Sequence, residues 1–253
     1  MGSPAFPVVR TAYQSVFNRG KLQSRRQMKQ FYSQFVRPGD LVFDVGANVG
    51  MYSDIFAELK ARVVAIEPNP ACLGFLQSLA RRTSVVVEPR AISDKPGKIA
   101  LQVSDMSVLT TANPEWRSMV ERMPRYGGSH FTEEIEVESV TLDQLAGQHG
   151  VPQFVKIDVE GFDDRVMFGM SFQPFALSFE FNRTLPQVAK RCLSAPVVGS
   201  GYEFNFQKIG EMRFASNKWF ELAEFAGRLE SLACSGDDEY GDVIARRKAP
   251  IAS

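Results

Sequence analysis

The chain has 253 residues, 44% hydrophobic and 23% charged, enough for one α/β domain with a sizeable core. Its 29 Lys and Arg balance 29 Asp and Glu, so no net positive charge favours nucleic acid as the main partner. The scattered Cys72, Cys192 and Cys234 lack metal-ligand spacing and suit a reducing cytoplasm, and no apolar run is long enough to enter and span a membrane.

Residues 1–36 read as a polar, aromatic helical extension. Phe17, Phe31, Tyr32 and Phe35 are placed to pack on the main domain or to cover a ligand, and Arg19, Lys21, Arg25, Arg26 and Lys29 read as a solvated helix face. Met1-Gly2-Ser3-Pro4-Ala5-Phe6 lacks the apolar core of a signal peptide. Residues 37–253 read as the main domain, entered through the turn Arg37-Pro38-Gly39-Asp40. Strands are predicted at about 41–46, 62–67 and 84–88, with helices at about 49–60 and 70–82 between them. Such alternation means crossover units and a parallel sheet.

After Pro96-Gly97 the rhythm changes. Extended segments at 98–104 and 135–142 are expected to pair as a ribbon at the sheet edge. The stretch 105–134 between them shows no clear strand and holds Trp116, Met119, Met123, Tyr126, Gly127, Gly128 and His130. A connection that long is usually functional, so a lid is the expectation, with a packed helix as the plainer alternative. Alternation then resumes. A helix at 142–147, strands near 153–161 and 175–181 and a helix at 186–193 lead to two last strands near 202–206 and 241–247.

Three patterns carry chemistry. Val42-Phe43-Asp44-Val45-Gly46-Ala47-Asn48-Val49-Gly50 is a strand ending in an acid and a glycine-punctuated turn, which lets backbone approach a nucleoside-like ligand. Its Gly-x-Asn-x-Gly spacing differs from the dinucleotide fingerprint, and the carboxylate of Asp44 suits a cationic amino group better than a pyrophosphate. Glu67 ends the second strand, where an acid can accept from both ribose hydroxyls. In Lys156-Ile157-Asp158-Val159-Glu160-Gly161, residues two apart share a strand face, so three charges line one side of a strand that should be apolar on both. Such charges are costly unless paired or used in chemistry.

Together with Ala65-Ile66-Glu67-Pro68-Asn69-Pro70, Ala91-Ile92-Ser93-Asp94 and Val140-Thr141-Leu142-Asp143, these motifs resemble the FkbM family of S-adenosylmethionine-dependent methyltransferases over residues 37–182. The resemblance implies a Rossmann-like class I methyltransferase fold, a mostly parallel seven-stranded sheet with helices on both faces and an antiparallel last strand. It also implies methylation of oxygen, often on a sugar or polyketide hydroxyl. By position, Asp44, Gly46, Asn48 and Gly50 would surround the methionine part of the cofactor. Glu67, with Pro68 beside it, would hold the ribose, Arg90 and Ala91-Ile92 would lie near the adenine, and Asp158 would sit beside the transferred methyl. The 105–134 stretch looks longer than is usual for the family.

An alcohol acceptor loses a proton as it attacks, so a base is needed. Asp158, Glu160, Lys156 and His130 are the candidates, and His149 reads as a helix C-terminal residue instead. Asp158 with Glu160 could also hold Mg²⁺, although the motif supplies few ligands. A nicotinamide-dependent oxidoreductase and a non-catalytic cofactor-binding module are the rival readings. A small-molecule or glycan acceptor is expected, and its identity and the oligomeric state are not written in these motifs.

Overall fold

The computed structural model describes residues 20–123, 126, 129–199, 201–208, 211–234 and 240–248. In chain order the elements are α1 (Gly20–Tyr32), β1 (Leu41–Val45), α2 (Met51–Glu58), β2 (Arg62–Ile66), α3 (Pro70–Ala80) and β3 (Val85–Glu88). Next come β4 (Ala91–Ile92), β5 (Gly97–Ser104), α4 (Pro114–Arg122) and β6 (Phe131–Val140). The chain continues through α5 (Leu142–His149), β7 (Phe154–Ile157), α6 (Asp163–Phe168), β8 (Ala176–Asn182) and α7 (Pro186–Leu193). It ends with β9 (Tyr202–Lys208), α8 (Leu222–Cys234) and β10 (Tyr240–Arg247).

Seven strands form one sheet in the order β3-β2-β1-β7-β8-β10-β9. The first five of these run parallel, and β10 is antiparallel to both β8 and β9. This is the mostly parallel sheet with one reversed strand of the Rossmann-like class I methyltransferase fold. Its order turns back between β1 and β7, and in open α/β sheets ligands bind in the crevice at such a switch point.

Helices close both faces because the central strands are apolar on both sides. On one face Val42, Phe154 and Ala176 pack under Phe31, Tyr32, Phe35, Ile55 and Phe56. On the other, Phe43, Val155, Leu177 and Phe179 pack with Leu142, Val166, Val188 and Phe225. Local signals start the helices. The Asn69 side chain accepts from the Ala71 amide ahead of α3, with Pro70 in the first turn, and Thr141 and Gln144 form a reciprocal capping box on α5.

The aromatic extension is part of the core. Phe35 stacks on Phe154 with ring centroids 5.8 Å apart, and Tyr32 meets Phe56 and Phe154 edge-on. The basic face of α1 is bridged to α2: Arg25 reaches Asp54 at 2.8 Å and Glu58 at 2.5 Å, and Lys29 reaches Glu58 at 3.1 Å. Phe17, Arg19, Gly127 and Gly128 lie outside the described residues.

One expectation changes. The two extended segments do pair, from Gly97↔Ser139 to Ser104↔Phe131, but in a separate three-stranded sheet, β4-β6-β5, and not at the edge of the main one. Pro89 lacks an amide donor and follows the last residue of β3. The exposed Glu134, Glu136 and Glu138 of β6 need a face in water, which a sheet covered by helices on both sides would deny them. The 105–134 stretch holds a 3₁₀ turn at Ser107–Leu109, all of α4 and the start of β6. Trp116 and Val120 are buried in the core, so α4 is a packed helix.

Removing the Phe35 ring leaves a hole under β7. Phe35→Ala is expected to cost about 3 kcal/mol of stability, read from the urea midpoint at unchanged m-value. A loss under about 1 kcal/mol would mean that the extension is not part of the folding unit.

Candidate active site

The turn after β1 is built by close backbone contacts. The amides of Gly46 and Ala47 both donate to the Ile66 carbonyl at 3.0 Å. Gly46 has φ of 81°, and a Cβ there would lie 1.8 Å from the Asp158 carbonyl oxygen, so the turns after β1 and β7 touch only because this residue is glycine. Asn48 follows at φ 50°, and its amide donates to Glu67 Oε2 at 2.8 Å. The other Glu67 oxygen accepts from the Asn69 amide at 2.8 Å. Burial pushes Glu67 up to about 7, against the pull of those two amides.

A cavity of about 610 Å³ opens over this turn. One wall is Gly46, Ala47, Asn48, Glu67 and Pro68; Ala91, Ile92, Ile99 and Leu101 form an apolar slot; Met106, Ser107, Val108, Thr110 and Thr111 come from the second sheet and its 3₁₀ turn. That turn is stitched to the first wall. Ser107 Oγ donates to Asn48 Oδ1 at 3.1 Å, and Asn69 Nδ2 donates to Thr110 Oγ1 at 3.3 Å. Asp158, Val159, Glu160 and Phe162 complete the lining. Glu160 holds a left-handed φ of 55°, and its carbonyl accepts from Thr111 Oγ1 at 2.7 Å. A carboxylate with free lone pairs beside an apolar slot suits an adenosyl group, so the donor set fits the cofactor that the motifs imply.

A second cavity of about 210 Å³ adjoins the first and shares Tyr52, Val108, Asp158 and Glu160 with it. Its other walls include Trp116, Tyr126, Glu180, Gln207 and Asp242. Register explains the polar lining. Asp44 pairs with Lys156 and Lys156 with Ser178, while Asp242 pairs with both Glu180 and Gln207. Paired residues share a face, so one side of the sheet carries a polar row toward the carboxyl ends of its parallel strands.

Lys156, 1% exposed, lies at the centre of that row. Its Nζ reaches Asp158 Oδ2 at 2.7 Å and sits 4.2 Å from the centroid of the Tyr52 ring. Burial alone would lower this ammonium, but Asp158 and Asp242 outweigh it and hold Lys156 well above its ordinary value. The acids around it are pushed up. Burial, then the charges of Glu180, Asp158 and Asp163, raises Glu160; burial, then Asp158, Asp163 and Asp242, raises Glu180. Burial raises Asp163 to about 7 and Asp242 to about 6. Carboxylate oxygens of Asp158, Glu160 and Glu180 all lie within 4.8 Å of one another.

Of the residues singled out in the sequence, Gly46, Asn48, Glu67, Pro68, Ala91, Asp158 and Glu160 meet around the large cavity. Five do not line it. Asp44 is buried and accepts from Ser53 Oγ at 2.6 Å, and Gly50 packs under Leu76 and Leu79. The Arg90 guanidinium is tied to Glu88 at 2.6 Å. Lys156 lies behind the lining with its Nζ on Asp158 at 2.7 Å, which holds its ammonium above the ordinary value. His130 is exposed, its backbone is bonded to Asp105, and it lines neither cavity. Sequence reasoning missed Tyr52, Glu180 and Asp242. The last two carried a signal, since each is an acid inside an otherwise apolar strand, as in Phe179-Glu180-Phe181.

These acids bind protons more tightly folded than unfolded. The stability they add is therefore full below about pH 4 and is lost as the pH rises through 6 to 7. Urea unfolding is expected to give a lower midpoint at about pH 8 than at about pH 5, with Glu180→Gln narrowing the gap. A profile that is flat, or that rises with pH, would contradict the crowding of carboxyls around Lys156.

The model of the methyltransferase FkbM domain matches residues 44–213. The chain is 31% identical over 159 residues to the 31-O-demethyl-FK506 methyltransferase FkbM of Streptomyces tacrolimicus, covering 53% of this chain and 61% of that protein. It is 30% identical over 136 residues to the hexuronic acid methyltransferase AglP of Haloferax volcanii, covering 52% of this chain and 50% of that protein. The aligned regions thus span half to three fifths of these relatives. Among solved structures, the FkbM methyltransferase of Methylobacillus flagellatus KT aligns with 95% of this chain and 58% of its own at 13% identity, with a TM-score of 0.49. The family match runs from Asp44 in β1 to the segment after β9 and takes in the whole lining of the larger cavity, and the chain belongs to the FkbM methyltransferase family.

Proposed function

We propose that the chain is an S-adenosylmethionine-dependent O-methyltransferase acting on a hydroxyl of a small molecule or glycan. The observation that carries this reading is the junction of the two cavities at Asp158 and Glu160. The larger side offers a carboxylate for a ribose diol and an apolar slot for a base; the smaller offers hydrogen-bond acceptors for a hydroxylated partner. The names of both curated relatives, for 31-O-demethyl-FK506 and for hexuronic acid, support an oxygen-bearing acceptor. Three free cysteines, two of them buried, are compatible with a reducing cytoplasm, and among the described residues no helix is long and apolar enough to cross a membrane.

When bound, the cofactor supplies an electrophilic methyl on sulfur; the new C–O bond replaces the C–S bond, and S-adenosylhomocysteine leaves. The residues of the chain do the rest. Glu67 anchors the ribose, and Asn48 and Thr110 hold the turn that carries it. Glu160 takes the hydroxyl proton. It lines both cavities and so stands where the acceptor hydroxyl on one side meets the methyl on the other. Lys156 fixes Asp158 at 2.7 Å and so orients the acid beside the reacting centre. Closing the site between α2, the 3₁₀ turn and α4 excludes water and aligns acceptor, methyl and sulfur.

Two variants separate binding from chemistry. Glu67→Ala is expected to weaken S-adenosylhomocysteine binding by about tenfold or more in titration calorimetry, the scale of hydrogen bonds to a charged group. Glu160→Gln should leave that affinity within about twofold while lowering kcat by about a hundredfold with any accepted hydroxyl compound. Unchanged S-adenosylhomocysteine affinity in Glu67→Ala would sink the cofactor assignment. Full activity of Glu160→Gln would remove it as the base.

A further inference from the structure

We propose that the methyl acceptor is an amino sugar or amino alcohol, its ammonium held by Glu180 and Asp242 and one of its oxygens accepting from the indole of Trp116. This rests on the O-methyltransferase reading and names the substrate class of the same site.

The smaller cavity is lined by four carboxyl side chains, Asp158, Glu160, Glu180 and Asp242, and by no Lys, Arg or His among its described lining residues. The Lys156 ammonium is engaged by Asp158 and the Tyr52 ring. Glu180 and Asp242 are register partners on β8 and β10, so their side chains rise from neighbouring positions on one face. Both belong to this cavity and not to the larger one, which puts them on the acceptor side of the junction at Asp158 and Glu160. Carboxylates this close repel one another, and an ammonium with three donors relieves that repulsion while giving each a hydrogen bond.

A second observation points to a different group on the same ligand. Trp116 is 1% exposed and lines this cavity, and its Nε1 meets no acceptor among the described residues. An indole N–H can only donate, and a buried donor without a partner is costly, so a ligand oxygen is the fitting complement. Rings of Tyr52, Trp116 and Tyr126 surround the space, and aromatic faces favour both a cation and the C–H surface of a sugar. A volume of about 210 Å³ suits one ring of monosaccharide size. A uronate would bring its carboxylate against four others, so the acceptor class differs from the one named in the hexuronic acid relative.

The full chain is tested in two stages. Titration calorimetry with S-adenosylhomocysteine comes first; no binding would overturn the methyltransferase reading and this one with it. Transfer of a radiolabelled methyl from S-adenosylmethionine is then measured with D-glucosamine, D-galactosamine and 2-deoxystreptamine. Their N-acetylated forms and D-glucuronate are compared, each with EDTA and with Mg²⁺. At least one free amine is expected to exceed its N-acetylated form by about tenfold or more in kcat/KM, in EDTA as in Mg²⁺. Glu180→Gln and Asp242→Asn should each shrink that ratio severalfold while keeping S-adenosylhomocysteine affinity and the cooperative thermal transition of a folded protein. With the cofactor product bound, the proposal alone is overturned by equal or better turnover of the N-acetylated forms or of glucuronate. Failure of every amine to turn over, or an absolute need for Mg²⁺, overturns it as well.

Discussion

A lysine ammonium shut out of water near the end of a central strand is the constraint around which this site is organised. Lys156 is buried between β1 and β8, where a carboxylate and an aromatic face in contact with it keep its charge tolerable. Asp158 and Tyr52 supply both, and each also lines the two cavities. The ion pair therefore serves more than its own solvation. It sets where one carboxyl stands at the junction, and it holds Tyr52 of α2 against the sheet. The acids that gather beyond it exceed what one cation can balance, so their protons are held unusually tightly. Structural ion-pair networks can perturb pKa values, but here Glu160, Glu180 and Asp242 line a cavity.

The second dependence is mechanical. The turns after β1 and β7 approach so closely that a methyl group at Gly46 would collide with the Asp158 backbone. The walls of the larger and the smaller cavity thus meet in a single piece. The small second sheet is tied to both, through Ser107 and Thr110 on one side and through Thr111 and Asn113 on the other. Left-handed backbone at Asn48 and Glu160 falls on that same piece, which is where strain concentrates when geometry is set by function. Precision at the scale that group transfer demands comes from such cross-bracing between elements far apart in sequence.

How much of this could be read beforehand depended on range. Each strand of the parallel sheet announces itself by a short apolar run, and the turns by glycine and proline, because those preferences act within a few residues. Glu67 was recognisable because its position follows from strand, turn and helix in one crossover unit. Lys156 was noticed as an anomaly, a charge where a central strand should be apolar, yet its partner and its fixed protonation depend on Tyr52 and Asp242, roughly a hundred residues away on either side. His130 looked attractive as a base because its chemistry is suited to neutral pH; its exposed position beside Asp105 is a matter of how β5 and β6 pair.

The chain by itself determined the fold class, the glycine turn after β1 and the family, since all three are written in local patterns whose order and spacing survive without knowledge of contacts. Only the tertiary structure decided the shape and charge of the acceptor side. Glu180 and Asp242 face each other because β10 runs antiparallel to β8, and Trp116 joins them because α4 folds back onto the turn after β7, where Asn113 holds the Gly161 carbonyl. Strand register and long-range packing leave no signature in a window of a dozen residues, because the energy that fixes them comes from surfaces that meet only when the chain has folded.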